Sequence, residues 1–539
     1  MQKLYYKALA SAFLLWLAWP PMPFTAPLLL LAFVPLLQTT EALIFSDVKK
    51  KGKKIFLLSF LVFFIWNTSC IYWVFNSLNA VMPSGLALLI SLIPFGLAAL
   101  LMSVAFWLYY QLRKKTGRGW SYVGLVSFWI GYEYLHQTWD LAFPWMTLGN
   151  GFSSSHQLVQ WYEYTGVYGG TLWIWLANIL AFELSLARAS EDDNALKFQK
   201  RLTAALFVVV IIPMTASIAM YSKYKERENP ANIVVVQPNI DPYEKFESLP
   251  ASEQIKRLIH LSDSIAQANT EYFIWPETAI SEGTNEGQIQ TNLNYSTVQS
   301  FLRKYRNGNV LSGIESYLLY DSPKTATARY LEENGQYLDV FNAAIQIENS
   351  SKPQFYHKSK LVPGVEQTPF SSSLSFLKPA FAAFGGSTGG YGYQEEPTVF
   401  FSPSGIGAAP VICYESIWGG YVTEYVKKGA QFIAIVTNDG WWGNTSGKDQ
   451  HLAYAKLRAI ETRRWVARSA NTGISAFINQ RGDIVQQSKW WVATALKADI
   501  NLNEELTFYV EHGDYIAFFA IFLCVGFFIF LAIKLFQPN

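Results

Sequence analysis

Of the three cysteines in these 539 residues, Cys70 and Cys524 lie in or beside apolar segments, and Cys413 alone stands in a region of mixed composition. A thiolate is the strongest side-chain nucleophile near neutral pH, but with an unperturbed pKa of about 8.5 only a small fraction of a thiol is ionised. It needs a base to take its proton and a cation to stabilise the thiolate and the oxyanion formed on attack at a carbonyl. Glu277 and Lys358 are the candidates for base and cation, and Cys413 for a nucleophile that passes from tetrahedral intermediate to thioester. The bland alternatives are an inert core cysteine, a solvated loop carboxylate and a surface lysine. Spacing along the chain does not by itself bring the three together.

The elements that must position them read as an α/β domain. Short β-branched or aromatic runs alternate with helical stretches from about residue 229 to 508. Strands are expected at 233–237, 272–275 and 309–316, with a hairpin at 329–348 turning at Asn334 and Gly335. Further strands are expected around 399–413 and at 432–437. A helix is expected at 452–465, followed by two strands over 466–487 that turn at Arg481 and Gly482. Glu277, Cys413 and the pair Asn438 and Asp439 then fall at strand ends, where loops of an open α/β sheet share a crevice. Lys358 follows the hairpin.

Around this region the chain is membrane-like. Hydrophobic residues make up 51% and charged residues 15% of the whole, below the roughly 25% charged of soluble domains. A span needs about 20 mainly apolar residues. Eight candidates occur, at 6–19, 26–38, 55–75, 86–110, 121–136, 171–186, 202–221 and 515–535. The expected organisation is a membrane domain over 1–228 with about seven transmembrane helices, a globular domain over 229–508, and a C-terminal transmembrane helix within 509–539. The first two spans, separated by Pro20, Pro21 and Pro23, read either as separate crossings or as one re-entrant hairpin. Lys3 and Lys7 precede an apolar run as in a signal peptide, but proline follows it, which suits an uncleaved first span. With eight spans and a cytoplasmic start, the basic clusters at 49–54, 113–118 and 188–201 all fall on the cytoplasmic side. The globular domain then lies outside the cytoplasm; Lys223, Lys225 and Arg227 are on the less usual side.

The motifs carry a resemblance. Trp275, Pro276 and Glu277; Tyr356, His357 and Lys358 followed by Leu361, Val362 and Pro363; and Ile412, Cys413, Tyr414 and Glu415 stand in the order of the Glu–Lys–Cys motifs of the nitrilase superfamily. Together with the spans at both ends, the whole chain resembles the bacterial apolipoprotein N-acyltransferases. That resemblance implies an αββα sandwich on the periplasmic side of the cytoplasmic (inner) membrane and a ping-pong acyl transfer. Cys413 would accept the sn-1 acyl chain of a membrane phospholipid as a thioester. The α-amine of an apolipoprotein's diacylglyceryl-modified amino-terminal cysteine would then discharge it. Glu277 would be the base and Lys358 the oxyanion stabiliser, with Glu366, Tyr414 and Glu415 in support. The chain reads Pro363, Gly364, Val365, Glu366 where the family often has Pro-Phe-Gly-Glu, and Phe246 stands where a tryptophan is frequent.

Other residues keep two readings. Glu366 and Glu415 are either supporting catalytic groups or structural carboxylates paired with Lys358 or a backbone amide. Asn438 and Asp439 are either part of the site or a turn, and His451 is expected to pack or cap its helix. Glu133 and His136 either face a polar cavity or lie at the membrane interface. The segment 370–392, rich in Ser, Phe and Gly, is either a lid touching acyl chains or a plain loop; Trp418, Trp441 and Trp442 either line an acyl pocket or fill the core. No clustered histidines or paired cysteines suggest a metal or another cofactor. A net charge of +2 without a basic stripe gives no reason to expect nucleic acid. An acyl chain gains about 0.8 kcal/mol per buried CH₂, so an enzyme handling it without a carrier must open at a bilayer. The competing enzymatic reading is a membrane-bound amidase or hydrolase in which water resolves the thioester. A third is a transporter or partner-binding protein with an inactive nitrilase-like domain.

Overall fold

A run of apolar residues that must satisfy its own backbone in lipid has to be helical, and both ends of the chain obey this. The computed structural model describes every residue except 1, 190–194, 243–244, 246–248, 326, 351, 368, 371–389 and 537–539. It divides into one unit of residues 1–223 with 512–539 and a second of 224–511.

In the first unit, six helices among the described residues are long and apolar enough to cross a membrane: Ala26–Phe45, Lys51–Ile71, Ser84–Lys115, Tyr162–Arg188, Ala195–Lys223 and Tyr515–Lys534. Five of them precede residue 224, where the sequence suggests about seven. The two others are helices of a different kind. Gln2–Leu17 has only 16 residues. Arg118–Thr138 is long enough but dilutes its apolar surface with Ser, Tyr, Glu133 and His136. The stretch from Ala26 is broken, a 3-10 turn (Ala26–Leu30) preceding the α-helix Val34–Phe45. Asn178 repairs the break: its Nδ2 donates to Leu29 O and its Oδ1 accepts from Phe33 N, both at 2.8 Å. Phe33, Phe63, Trp129 and Trp175 pack together at its centre. Glu133 is buried, accepting from Trp129 Nε1, Leu148 N and Thr171 Oγ1 at 2.8–3.0 Å. His136, also buried, accepts from Trp139 Nε1. Neither faces lipid.

The second unit contains β1 (Pro230–Gln237), β2 (Thr270–Ile274), β3 (Ile280–Asn285), β4 (Asn309–Tyr320), β5 (Arg329–Leu331), β6 (Gln336–Ile347) and β7 (Gln354–His357). It continues with β8 (Phe400–Phe401), β9 (Gly407–Ile412), β10 (Phe432–Thr437), β11 (Val466–Ala470), β12 (Ala476–Ile478), β13 (Ile484–Gln487) and β14 (Thr494–Asn501). Among the described residues these form an eight-stranded sheet, β14-β1-β2-β4-β6-β5 with β3 beside β4 and β7 beside β6, and a six-stranded sheet, β13-β12-β11-β10-β9-β8. Alternation along a strand sends successive side chains to opposite faces. Ile233, Val235, Tyr272, Ile274 and Leu311 enter the core shared with Val411, Ile435 and Val466 of the second sheet. Val234, Val236, Phe273 and Val310 turn the other way, onto Ile255, Leu258, Val298 and Phe301 of the helices Ala251–Ile265 and Leu293–Leu302. The central strands β9, β10 and β11 are parallel and buried along their whole length, as strands covered on both faces are. The helices Gly419–Lys427 and Ser446–Thr462 pack against them through Val422, Tyr425, Leu452, Ala455 and Ala459. The layers are helix, sheet, sheet, helix.

Three local differences from the sequence reading have simple causes. The helix expected at 452 begins at Ser446, because the Thr445 hydroxyl accepts from Gly447 N and caps it. The stretch 466–487 makes three strands, since Ser475 Oγ accepts from Ala470 N and tightens a turn between β11 and β12. Residues 224–228 belong to the second unit: Glu226 accepts from Trp465 Nε1, Gln480 N and Asn501 Nδ2.

Candidate active site

The two sheets each deliver part of one cluster. From the eight-stranded sheet, β2 ends at Ile274 and the chain passes through Trp275 and Pro276 to Glu277. Trp275 is buried, with its Nε1 donating to Ser262 Oγ and its backbone N to Leu311 O. Gly313 N donates to Pro276 O at 3.1 Å. A Cβ on Gly313 would lie 2.5 Å from Glu277 Cα, so only glycine lets β4 approach this closely. Thr278, next in the chain, takes a left-handed φ of 47°. The buried Lys245 braces this bend, donating from Nζ to Glu277 O (2.9 Å) and Thr278 Oγ1 (2.7 Å).

Lys358 leaves β7 with its backbone N donating to Asn342 O on β6. Its ammonium donates to Glu277 Oε1 at 3.1 Å and Glu366 Oε1 at 2.8 Å. Asn342 Nδ2 donates to the same two oxygens, both at 2.8 Å. Glu366 Oε2 accepts from Val362 N. Gly364, at φ 79°, turns the loop that carries Glu366 back toward Lys358, which suits this chain's order of Gly364 before Val365. Lys358, Glu277, Glu366 and Asn342 are all buried. Burial opposes the charge on Lys358, but Glu277 and Glu366 outweigh it and hold its pKa well above the ordinary lysine value.

From the six-stranded sheet, β9 ends at Ile412 and Cys413 opens the short helix Cys413–Ile417. Cys413 has a left-handed φ of 49° and is partly exposed. A non-glycine residue in that region is strained, and such strain gathers at sharp strand-to-helix turns that project a nucleophile. Burial and the nearby Glu277 push the Cys413 thiol up, while Lys358 and a hydrogen bond with the Thr437 side chain pull it down. The balance is upward, so the resting sulfur carries its proton. A base is required, and Glu277 acts on the same sulfur electrostatically.

The supporting residues divide. Glu366 shares Lys358 with Glu277. Tyr414 is buried, its ring edge-on to Trp418 at 4.7 Å, and Lys358 and Glu366 both act on its phenol. Glu415 is consumed by structure: Oε1 accepts from Tyr356 Oη (2.5 Å), Ser359 N (2.6 Å) and Lys360 N (3.3 Å), and Oε2 from Ile412 N (2.9 Å). It ties the chain after Lys358 to the turn before Cys413. Asp439 is more than a turn residue, because Arg468 and His451 both contact it in the core. His451 also contacts Trp442, which packs edge-on to the imidazole at 5.3 Å. Phe246 and 371–389 of the lid candidate lie outside the described residues. Sequence reasoning missed Asn342, Lys245 and Thr437. Thr437 ends β10, but Asn342 lies in the middle of β6 and Lys245 in the stretch between β1 and the helix Ala251–Ile265, so no shared sequence signal points to them.

Comparison with known proteins matches this layout. The family model for carbon-nitrogen hydrolases covers residues 232–505, half of the chain. The chain belongs to the carbon-nitrogen hydrolase family. A second family model, the apolipoprotein N-acyltransferase N-terminal domain, covers residues 11–180. Among curated relatives, the apolipoprotein N-acyltransferase of Chlorobaculum tepidum is 29% identical over 531 residues, covering 95% of this chain and 94% of its own. That of Geobacter metallireducens is 26% identical over 527 residues, covering 95% and 92%. A solved structure, Nit3 of Saccharomyces cerevisiae, a member of branch 10 of the nitrilase superfamily, is 14% identical with a TM-score of 0.36, covering 52% of this chain and 92% of that one. The carbon-nitrogen hydrolase match begins within β1 and ends just after β14, so it spans the strands of both sheets.

Proposed function

We propose that this multi-pass membrane protein is an apolipoprotein N-acyltransferase that works through a thioester on Cys413. The observation that carries the reading is the single ammonium of Lys358 shared by two buried carboxylates, Glu277 and Glu366, within electrostatic reach of a partly exposed cysteine. The full-length relatives and the N-terminal family match give the acceptor class.

With both carboxylates ionised, Lys358 protonated and the Cys413 thiol neutral, the four groups together carry one net negative charge. Moving the thiol proton from Cys413 to Glu277 leaves that total unchanged, so the thiolate forms without importing charge into a buried site. The sulfur attacks the sn-1 ester carbonyl of a membrane phospholipid. The Lys358 ammonium stabilises the resulting oxyanion, the carbon–oxygen bond breaks, and Glu277 returns the proton to the departing lysophospholipid hydroxyl. In the second half, the neutral α-amine of a diacylglyceryl-modified amino-terminal cysteine attacks the thioester. Glu277 takes a proton from the nitrogen, the carbon–sulfur bond breaks, and the thiolate of Cys413 recovers a proton. Glu366 keeps the ammonium in place throughout, and Tyr414 walls the pocket. Charge bias among the cytoplasmic loops supports an orientation with residues 229–508 outside the cytoplasm.

The test is to load Cys413 from phospholipid vesicles and follow discharge with and without a diacylglyceryl-cysteine peptide. The expected result is fast loss of thioester to the peptide amine with an amide product. Equal loss to water alone would make the protein a hydrolase.

A further inference from the structure

Behind the nucleophile, away from Glu277 and Lys358, lies a second polar cluster that the acyl-transfer steps do not use. Ser416 Oγ donates to Cys413 O at 2.8 Å and lies 2.8 Å from His451 Nε2. His451 Nε2 is also 3.2 Å from Cys413 O. On the other side of the ring, His451 Nδ1 is 3.0 Å from Asp439 Oδ1 and 3.0 Å from an Arg468 guanidinium nitrogen. Asp439 Oδ2 accepts from Arg468 at 2.7 Å, and Asp439 Oδ1 accepts from Thr437 Oγ1 at 3.0 Å. Thr437 in turn hydrogen-bonds the Cys413 thiol. Ser416, His451, Asp439 and Arg468 are each at most 1% exposed.

The pattern of serine, histidine and aspartate is that of a hydrolytic triad, yet it cannot act as one. Ser416 is sealed from solvent and its proton is committed to a carbonyl. Because Cys413 O can only accept, and the serine hydroxyl spends its hydrogen there, Nε2 of His451 must be the donor toward both oxygens. The chain of contacts therefore closes a ring. It leaves the Cys413 sulfur through Thr437, passes Asp439 and His451, and returns to the Cys413 carbonyl directly and through Ser416. Its two ends grip the side chain and the main chain of one residue, and that residue has the left-handed φ. Such a conformation persists only where its surroundings over-determine it.

We infer that His451, with Ser416 and Asp439, is a positioning residue that holds the backbone of Cys413 in its left-handed turn and so aims the sulfur at the acyl carbonyl. This rests on the proposed acylation of Cys413. Misplacing a reacting atom by an ångström can cost about 100-fold in rate, which sets the expected scale.

The experiment measures acylation of Cys413 by phospholipid vesicles in the full-length protein, as rate constant and as half-saturating lipid. His451→Ala should slow acylation by about 30- to 100-fold with half-saturating lipid changed less than about threefold, the pattern of lost positioning without lost binding. His451→Gln, whose amide can still donate to Ser416 and Cys413 O, should recover most of that loss. Ser416→Ala, which removes one of the two donors to the carbonyl and leaves the ion pair intact, should slow acylation by about three- to tenfold. A folded His451→Ala protein acylating at the wild-type rate would overturn the inference. If that variant does not fold, Ser416→Ala decides, and an unchanged rate overturns it. Should wild-type protein itself form no adduct that Cys413→Ala abolishes, the proposed function fails instead, a distinguishable result.

Discussion

The two polar clusters that flank Cys413 use the same kinds of residue in opposite ways. In front, one ammonium serves two carboxylates, and the amide oxygen of Asn342 is buried without a hydrogen-bond partner among the described residues. Behind, Asp439 spends both oxygens on Arg468, His451 and Thr437, and Arg468 also donates to Ile474 O, although its Nε is buried without a hydrogen-bond partner among the described residues. Burial would raise the Asp439 carboxyl, but Arg468 and His451 hold it well below the ordinary carboxylate range. A cluster whose groups share a partner can rearrange its protons at small cost; one whose carboxylate has both oxygens held by several donors resists change and keeps its shape. The first arrangement suits a place where charge must move, and the second a place where a strained backbone must not.

The sharpest way to break this contrast is to stop the proton moving in front. Glu277→Gln keeps an acceptor for Lys358 and Asn342, so the fold should survive. Loss of the base should slow acylation by about 10²- to 10⁴-fold. Single-turnover acylation with a parallel thermal melt checks it; a folded variant within a few fold of wild type would remove Glu277 from the chemistry. Asp439→Asn attacks the other side. It leaves the buried Arg468 without its counter-charge and should cost about 3–5 kcal/mol of stability, read from denaturant unfolding. Equal stability would show that the rear ion pair holds nothing.

A smaller effect concerns the brace beneath Glu277. Burial pushes the Lys245 ammonium down to about 7, against the pull of Glu277 and Glu315. An unfolded lysine keeps its proton to about pH 10.4. Between those values the unfolded state binds more protons, so stability rises with pH, by at most about 1.4 kcal/mol per unit. Lys245→Met lacks this slope. Its stability should therefore fall further behind wild type by about 2–3 kcal/mol on going from about pH 7.5 to about pH 9.5. A gap constant across that range would mean that Lys245 stays charged in the folded protein.

What could be read in the sequence follows from the reach of each signal. Glu277, Lys358 and Cys413 sit in short motifs after strand-like runs, and a strand end is a local property. A layered α/β domain follows in the same way, from β-branched runs such as Phe432–Thr437 alternating with helical stretches, while the sandwich comes from what the family resemblance implies. The partners that complete the site are set by contacts across the fold. Asn342 reaches Glu277 from 65 residues away, Lys245 from 32, and His451 reaches Cys413 O from 38. No local pattern distinguishes them from other buried polar residues. Glu415 keeps two readings in the sequence for the same reason, since three of its four donors, Tyr356 Oη, Ser359 N and Lys360 N, come from the chain around Lys358. The helix Arg118–Thr138 is legible as the candidate span 121–136, whereas the contacts that Glu133 makes with Leu148 and Thr171 are not, because they are set across the fold.

The most direct test is mass spectrometry of the full-length protein after incubation with phospholipid vesicles and no acceptor. The account predicts one fatty acyl group on Cys413, released by hydroxylamine, absent in Cys413→Ala and strongly reduced in Glu277→Gln. An acyl group found on another residue, or none on Cys413 while an acceptor peptide is still acylated, would contradict it.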